Sequence, residues 1–154
     1  METVQIDTWI RARGEDCFDA ARDLDLHVTS LAHTKEKAIG GRTSGLIELG
    51  EEVTWRGRHF GVYQTFTSKI TAFDRPRYFQ DTMQRGAFES FVHDHYFTTL
   101  RGGTAMRDVV MFAAPLGILG RLVERVVLRR YVERLLMARA AAIKQSLESL
   151  GSTA

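Results

Sequence analysis

The feature that most restricts how this chain can fold is its final segment, which is rich in Leu, Val, Ala, Arg and Glu and holds no glycine between Gly120 and Gly151. It reads as one long helix that starts soon after Pro115. Val132, Leu136, Ala140, Ile143, Leu147 and Leu150 recur at spacings of 4, 4, 3, 4 and 3, which places them on a single stripe of the helix surface. A stripe of this length must bury itself against a partner. Leu119, Leu122, Val123 and Val126 make a second stripe upstream, and its phase slips near Arg129 and Arg130, which predicts a bend there.

The partner has to come from the rest of the chain, which is strand-like. Val4, Ile6 and Ile10 lie at period two and predict a first strand. After Gly14, Glu15 and Asp16 precede Cys17-Phe18-Asp19-Ala20-Ala21, with acidic residues where a helix N-terminus favours them. A short helix is expected there and a second one from about Asp25 to His33. The turn residues Gly40-Gly41 and Ser44-Gly45 then open a meander. Its candidate strands are Leu46 to Leu49, Val53 to Arg58, Val62 to Phe73, Arg77 to Arg85, Ser90 to Leu100 and Thr104 to Phe112. The connections are short, which makes neighbouring strands antiparallel.

The expected architecture is therefore α+β: a curved antiparallel sheet of about seven strands wrapped around a long C-terminal helix, with two short helices after strand one. The 154 residues leave no room for a second core, so 1–150 is expected to be a single domain and 151–154 a frayed tail. One helix does not fill the concavity of a strongly bent sheet, so a cavity is expected between them.

Composition removes several function classes. With 44% hydrophobic and 26% charged residues the chain has enough apolar material to fold. The net charge of +2 gives no global field of the kind that implies nucleic acid as a partner. Cys17 is the only cysteine, which excludes an internal disulfide and a cysteine-based zinc knuckle and suits a reducing compartment. The start, Met1-Glu2-Thr3-Val4, has no basic stretch followed by an apolar run, and the longest uncharged run, Val109 to Gly120, is too short to span a membrane. A soluble, cytoplasmic protein is expected.

Alternation along strands selects the residues that face the cavity. Phe91, His93, His95 and Phe97 share a face, as do Phe79, Asp81 and Met83, and as do Thr104, Met106, Asp108, Val110 and Phe112. Val53 and Trp55, and then Val62, Gln64, Phe66, Ser68 and Ile70, add to the same wall. The candidate ligand contacts are Trp55, Gln64, Phe66, Phe79, Asp81, Met83, Phe91, His93, His95, Phe97, Met106, Asp108 and Val110.

Several of these residues also carry a resemblance. Val53-Thr54-Trp55 with His59-Phe60-Gly61, Ile70-Thr71 with Pro76, and Phe79, Asp81, Met83, Gly86 and Phe88 belong to it. So do His93-x-His95-x-Phe97, Gly103-Thr104-x-Met106-x-Asp108, and Pro115-Leu116-Gly117 with Gly120. From about Val4 to Leu147 the chain resembles the START-like, polyketide-cyclase-like ligand-binding superfamily (SRPBCC) with its helix-grip fold, in a bacterial branch described mostly as predicted ligand-binding proteins. The resemblance implies a deep pocket for an apolar or amphipathic molecule such as a lipid, polyketide or isoprenoid. It supplies no catalytic motif.

Three functions compete at this level. The first is binding of a hydrophobic molecule, oriented by Asp81, His93, His95 and Asp108. The second is an enzyme, a cyclase, dehydratase or hydrolase, in which the same groups act as acid and base near neutral pH. A pair of histidines at i and i+2 with a carboxylate also has the composition of a metal site, but hydrogen-bonded cavity histidines are the simpler expectation, and no metal or other cofactor is expected. The third is a lipid carrier that docks on membranes. Between Pro115 and Lys144, Arg121, Arg125, Arg129, Arg130, Arg134, Arg139 and Lys144 face only Glu124 and Glu133, a local excess of five positive charges, and Arg121, Arg125 and Arg129 lie four apart. Solvation of the outer helix face is the blander account of these arginines. A homodimer through sheet edges or helix ends is a further expectation.

Overall fold

The computed structural model describes residues 1–115 and 117–151. The strands are β1 (Glu2–Ile10), β2 (Lys37–Gly41), β3 (Glu52–His59), β4 (Val62–Asp74), β5 (Tyr78–Arg85), β6 (Ser90–Leu100) and β7 (Gly103–Ala113). They form one antiparallel sheet in the order β1-β7-β6-β5-β4-β3-β2, so β1 crosses over to pair with β7 while the rest is a meander. Two short helices, α1 (Gly14–Ala21) and α2 (Leu24–Ser30), follow β1. Glu15 and Asp16 sit in the first turn of α1, and the Asp23 carboxylate caps α2 by accepting from the amides of Asp25 and Leu26.

The C-terminal segment is α3 (Gly117–Val123), a wide π-helical stretch (Glu124–Leu128) and α4 (Arg129–Gly151). The π stretch lies just before the position where the apolar stripe loses phase, and a residue inserted into the helical repeat is what shifts a stripe around the axis. Along α4, Val132, Leu136, Ala140 and Ile143 are buried and Leu147 packs against the core, but Leu150 is 68% exposed, so the buried stripe ends at Leu147. Gly151 belongs to the helix, and the rest of the expected frayed tail lies outside the described residues.

The core has two parts. Phe18 of α1 is fully buried, and its ring meets Phe73, Phe79 and Phe97 edge-on at 5.1–5.4 Å. Cys17, Ile10, Met106, Ala140 and Ile143 belong to the same cluster. Burial pushes the Cys17 thiol pKa up, as suits a cysteine that packs in the core. A second cluster joins Val4, Val110 and Phe112 to Val132 and Leu136 of α4.

One expected strand is replaced by another. Leu46 to Leu49 forms no strand: Leu46 makes a single bridge to Asp23, the Ile47 amide bonds the Arg22 carbonyl, and the Arg22 guanidinium donates to the Ile47 carbonyl. The seventh strand is β2, whose Gly40 and Gly41 were expected to be turn residues. Gly41 has φ 66° and lies so close to β3 that a Cβ would stand 2.2 Å from the Glu52 carbonyl oxygen, so only glycine lets β2 pair there.

Candidate functional site

A cavity of about 370 Å³ lies between α4 and the inner face of β3–β6. Aliphatic and aromatic side chains form most of its wall, among them Ile47, Val53, Phe66, Ile70, Phe88, Leu135 and Leu136. Two polar patches interrupt that wall.

The first patch follows from strand register. Asp81 on β5 stands opposite His93 on β6, and His95 stands opposite Asp108 on β7. The Asp81 carboxylate is 3.0 Å from His95 Nε2 and 3.8 Å from His93 Nδ1. Asp108 Oδ1 lies 3.0 Å from His93 Nε2 and 2.9 Å from His95 Nδ1, although the second approach lacks hydrogen-bond alignment. The two imidazoles overlap, with centroids 3.7 Å apart, and Phe79 stacks on the far side of His95 at 4.0 Å. Three rings and two carboxylates thus make one closed array on the sheet.

The charges in this array are set by burial and by the partners. Burial and the neighbouring His95 push the His93 pKa below the ordinary imidazole value, against the pull of Asp108 and Asp81. For His95 burial acts the same way, but the close approach of the Asp108 and Asp81 carboxylates outweighs it and raises the pKa. Burial would raise both carboxylates, yet hydrogen bonds and charge from the two histidines hold Asp81 and Asp108 below the carboxylate range. The lowered His93 pKa favours its neutral form, and of the two imidazoles His95 is the one whose charged form the carboxylates favour.

The second patch was not expected. His27 of α2 bonds Glu36 at 2.8 Å and stacks on Trp55 at 4.1 Å. Burial and Arg139 push the His27 pKa down; burial would raise Glu36, but the bond from His27 keeps it low. His59 Nδ1 lies 2.5 Å from the Tyr131 hydroxyl, and Arg139 donates to the Ala21 carbonyl at 3.1 Å while its buried Nε makes no hydrogen bond. The sequence does contain a signal for the helix part: Tyr131, Leu135 and Arg139 lie four apart, one residue ahead of the buried row Val132, Leu136 and Ala140. Arg139 therefore leaves the solvated face on which its charge alone would place it.

Of the expected contacts, Trp55, Gln64, Phe66, Phe79, Asp81, Phe91, His93 and His95 line the cavity. Five others do not. Phe97 and Met106 are packed in the cluster around Phe18, and Val110 belongs to the cluster with Val132 and Leu136. Met83 lies beside Phe66 and Gly86, and Asp108 stands behind the histidines, reaching the cavity only through them. Arg121, Arg125 and Arg129 are exposed, as are Ile118, Leu119, Leu122 and Val126, and Pro115 and Leu128 nearby in the chain line the cavity. No helix among the described residues is long and apolar enough to cross a membrane.

No family model and no curated protein matches the chain. Solved structures do. The protein TTHA0849 from Thermus thermophilus is similar over 92% of this chain and 97% of its own, at 17% identity and a TM-score of 0.71. A START superfamily protein from Mycobacterium smegmatis is similar over 96% and 98%, at 14% identity and a TM-score of 0.72. The fold is the START-like helix-grip fold. Ginseng major latex-like protein 151 from Panax ginseng has the same helix-grip arrangement over 95% of this chain and 97% of its own, with 16% identity and a TM-score of 0.67. At these identities the likeness concerns the grip of sheet on helix and leaves the occupant of the cavity to the side chains.

Proposed function

We propose that the chain encloses one hydrophobic or amphipathic molecule of the lipid, polyketide or isoprenoid type in the cavity between sheet and α4. The observation that carries this reading is the wall itself: a hollow of about 370 Å³, mainly apolar, with most of its titratable groups gathered in two patches. Burial of the ligand's apolar surface supplies affinity, at about 25 cal/mol per Å², and the patches orient its polar end. Native mass spectrometry of protein purified from its own host is expected to show a co-purifying apolar molecule and also reads whether the chain pairs with itself. Protein that takes up no apolar fluorophore after mild delipidation would end the proposal.

A second reading is favoured by the neutral His93. Held by Asp108, it is disposed as a base toward a bound substrate, and cyclisation, dehydration or hydrolysis would all use such a group. His93→Ala distinguishes the two. In a binder it weakens or alters ligand uptake; in an enzyme it stops conversion of a molecule that still binds.

The exposed apolar and basic residues of α3 and the π stretch support delivery at a membrane, because they lie in the chain between the cavity-lining Pro115 and Leu128 and match an anionic, partly apolar surface. Replacing Arg121, Arg125 and Arg129 together with glutamine is expected to reduce co-sedimentation with phosphatidylserine vesicles on the order of 100-fold. Unchanged association of the triple variant would remove this mode.

A further inference from the structure

We propose that Asp81, His93 and His95 form a three-ligand site for a divalent transition ion of the zinc and iron class, with Asp108 fixing both imidazoles from behind. This goes beyond the ligand reading and is measured separately from it. One nitrogen of each histidine and one Asp81 oxygen lie within 4.8 Å of one another. The nitrogens that face Asp81 are His95 Nε2 at 3.0 Å and His93 Nδ1 at 3.8 Å. Bonds of roughly 2.0–2.1 Å around a tetrahedral ion set ligand atoms about 3.3 Å apart, and both distances to Asp81 lie close to that spacing.

The remaining nitrogens point most strongly to an ion. His93 Nε2 and His95 Nδ1 both turn to the same Asp108 oxygen, at 3.0 and 2.9 Å. Metal-bound histidines characteristically give their second nitrogen to a carboxylate, which fixes ring orientation and leaves the first nitrogen free for the ion. Here the buried Asp108 carboxylate does so for His93 Nε2 and stands 2.9 Å from His95 Nδ1 without hydrogen-bond alignment, while His95 Nε2 and His93 Nδ1 both face Asp81. Asp81 and Asp108 also bring two negative charges into a wall where His93 and His95 are almost wholly inaccessible, and a dication offsets that pair. Imidazole with carboxylate suits zinc, iron or cobalt, whereas calcium and magnesium prefer oxygen alone. Asp81, His93 and His95 line the cavity, so the remaining coordination positions face a bound molecule, whose oxygen the ion would polarise.

The test uses the intact protein, stripped with a chelator and titrated with Zn²⁺ by calorimetry and with Co²⁺ by visible absorption. The expected result is one saturable equivalent and a cobalt spectrum of low-coordinate nitrogen and oxygen ligation. His93→Gln and His95→Gln should each weaken it by more than about 100-fold, and Asp108→Asn by about 10–100-fold. His33→Gln, at an exposed histidine that does not line the cavity, should leave it unchanged. Circular dichroism and apolar-fluorophore uptake show whether each variant keeps its fold. Where one does not, the wild-type cobalt spectrum decides, and an aquo-ion spectrum overturns the site. So does unaltered affinity in both folded histidine variants. Fluorophore uptake by metal-free protein tests the cavity reading alone, so the two proposals fail separately.

Discussion

Asp108→Ala is expected to destabilise the fold by about 3–5 kcal/mol, read as a lower urea midpoint at unchanged m-value. The carboxylate is buried, accepts from His93 Nε2 and stands 2.9 Å from His95 Nδ1. Without it the His93 N–H loses its acceptor and His95 keeps only Asp81. Asp108→Asn retains an acceptor of the same shape and should cost less. The pH dependence carries a second signature. Asp81, Asp108 and Glu36 have depressed pKa values, so their contributions are complete above about pH 4 and are lost as pH falls through the folded values. His27 and His93 are also depressed, so the unfolded chain takes up protons that the folded one refuses, and stability declines as pH drops below about 6.5. His95 runs the other way: its contribution is present below about pH 6.5 and is lost as pH rises through its raised folded value. Two histidines and three carboxylates oppose one histidine, so the thermal midpoint should fall between pH 7 and pH 4 and more steeply below. Asp108→Ala should flatten the acid limb. A wild-type midpoint that stays level from pH 7 to pH 3 would contradict this charge assignment.

The order of elements was legible because each rests on local pattern: period two in β1 and β3–β7, acidic first turns, and the single stripe of α4. β2 was not, because Gly40-Gly41 has the composition of a turn and becomes a strand only where β3 offers a close partner. Leu46 to Leu49 misled in the opposite sense, since Ile47 is buried while Leu49 is 58% exposed, and Arg22 takes the backbone groups a neighbouring strand would have used. Alternation also grouped His93, His95, Asp81 and Asp108 on one face. It does not say what covers that face. Phe97, Met106 and Val110 point the same way as the histidines, yet α1 or α4 packs on them and no cavity remains there. The second patch draws on α2, the segment before β2, β3 and α4, and no sequence spacing links His27 to Arg139.

Ser68→Trp should separate the cavity from the stability of the fold. Ser68 is 4% exposed, pairs with Val53 and Met83 in the middle of β4, and lines the hollow. A larger side chain there fills space with apolar atoms, restoring dispersion contacts that a void forfeits, and such filling commonly stabilises by about 0.5–2 kcal/mol. The same ring occupies volume that a ligand needs. Uptake of a long-chain apolar fluorophore is therefore expected to weaken by at least about tenfold, a loss of about 1.4 kcal/mol, while the thermal midpoint holds or rises. Lys69→Trp sets an identical ring on the other face of β4 and should leave uptake unchanged. A fall in both quantities would mean that the ring overpacks the wall, which costs about 1–3 kcal/mol, and a smaller Ser68→Leu then repeats the test. Full uptake by a stable Ser68→Trp variant would put the fluorophore elsewhere on the molecule. The opposite signs matter because damage to the fold lowers binding and stability together, whereas occupation of a functional hollow separates them.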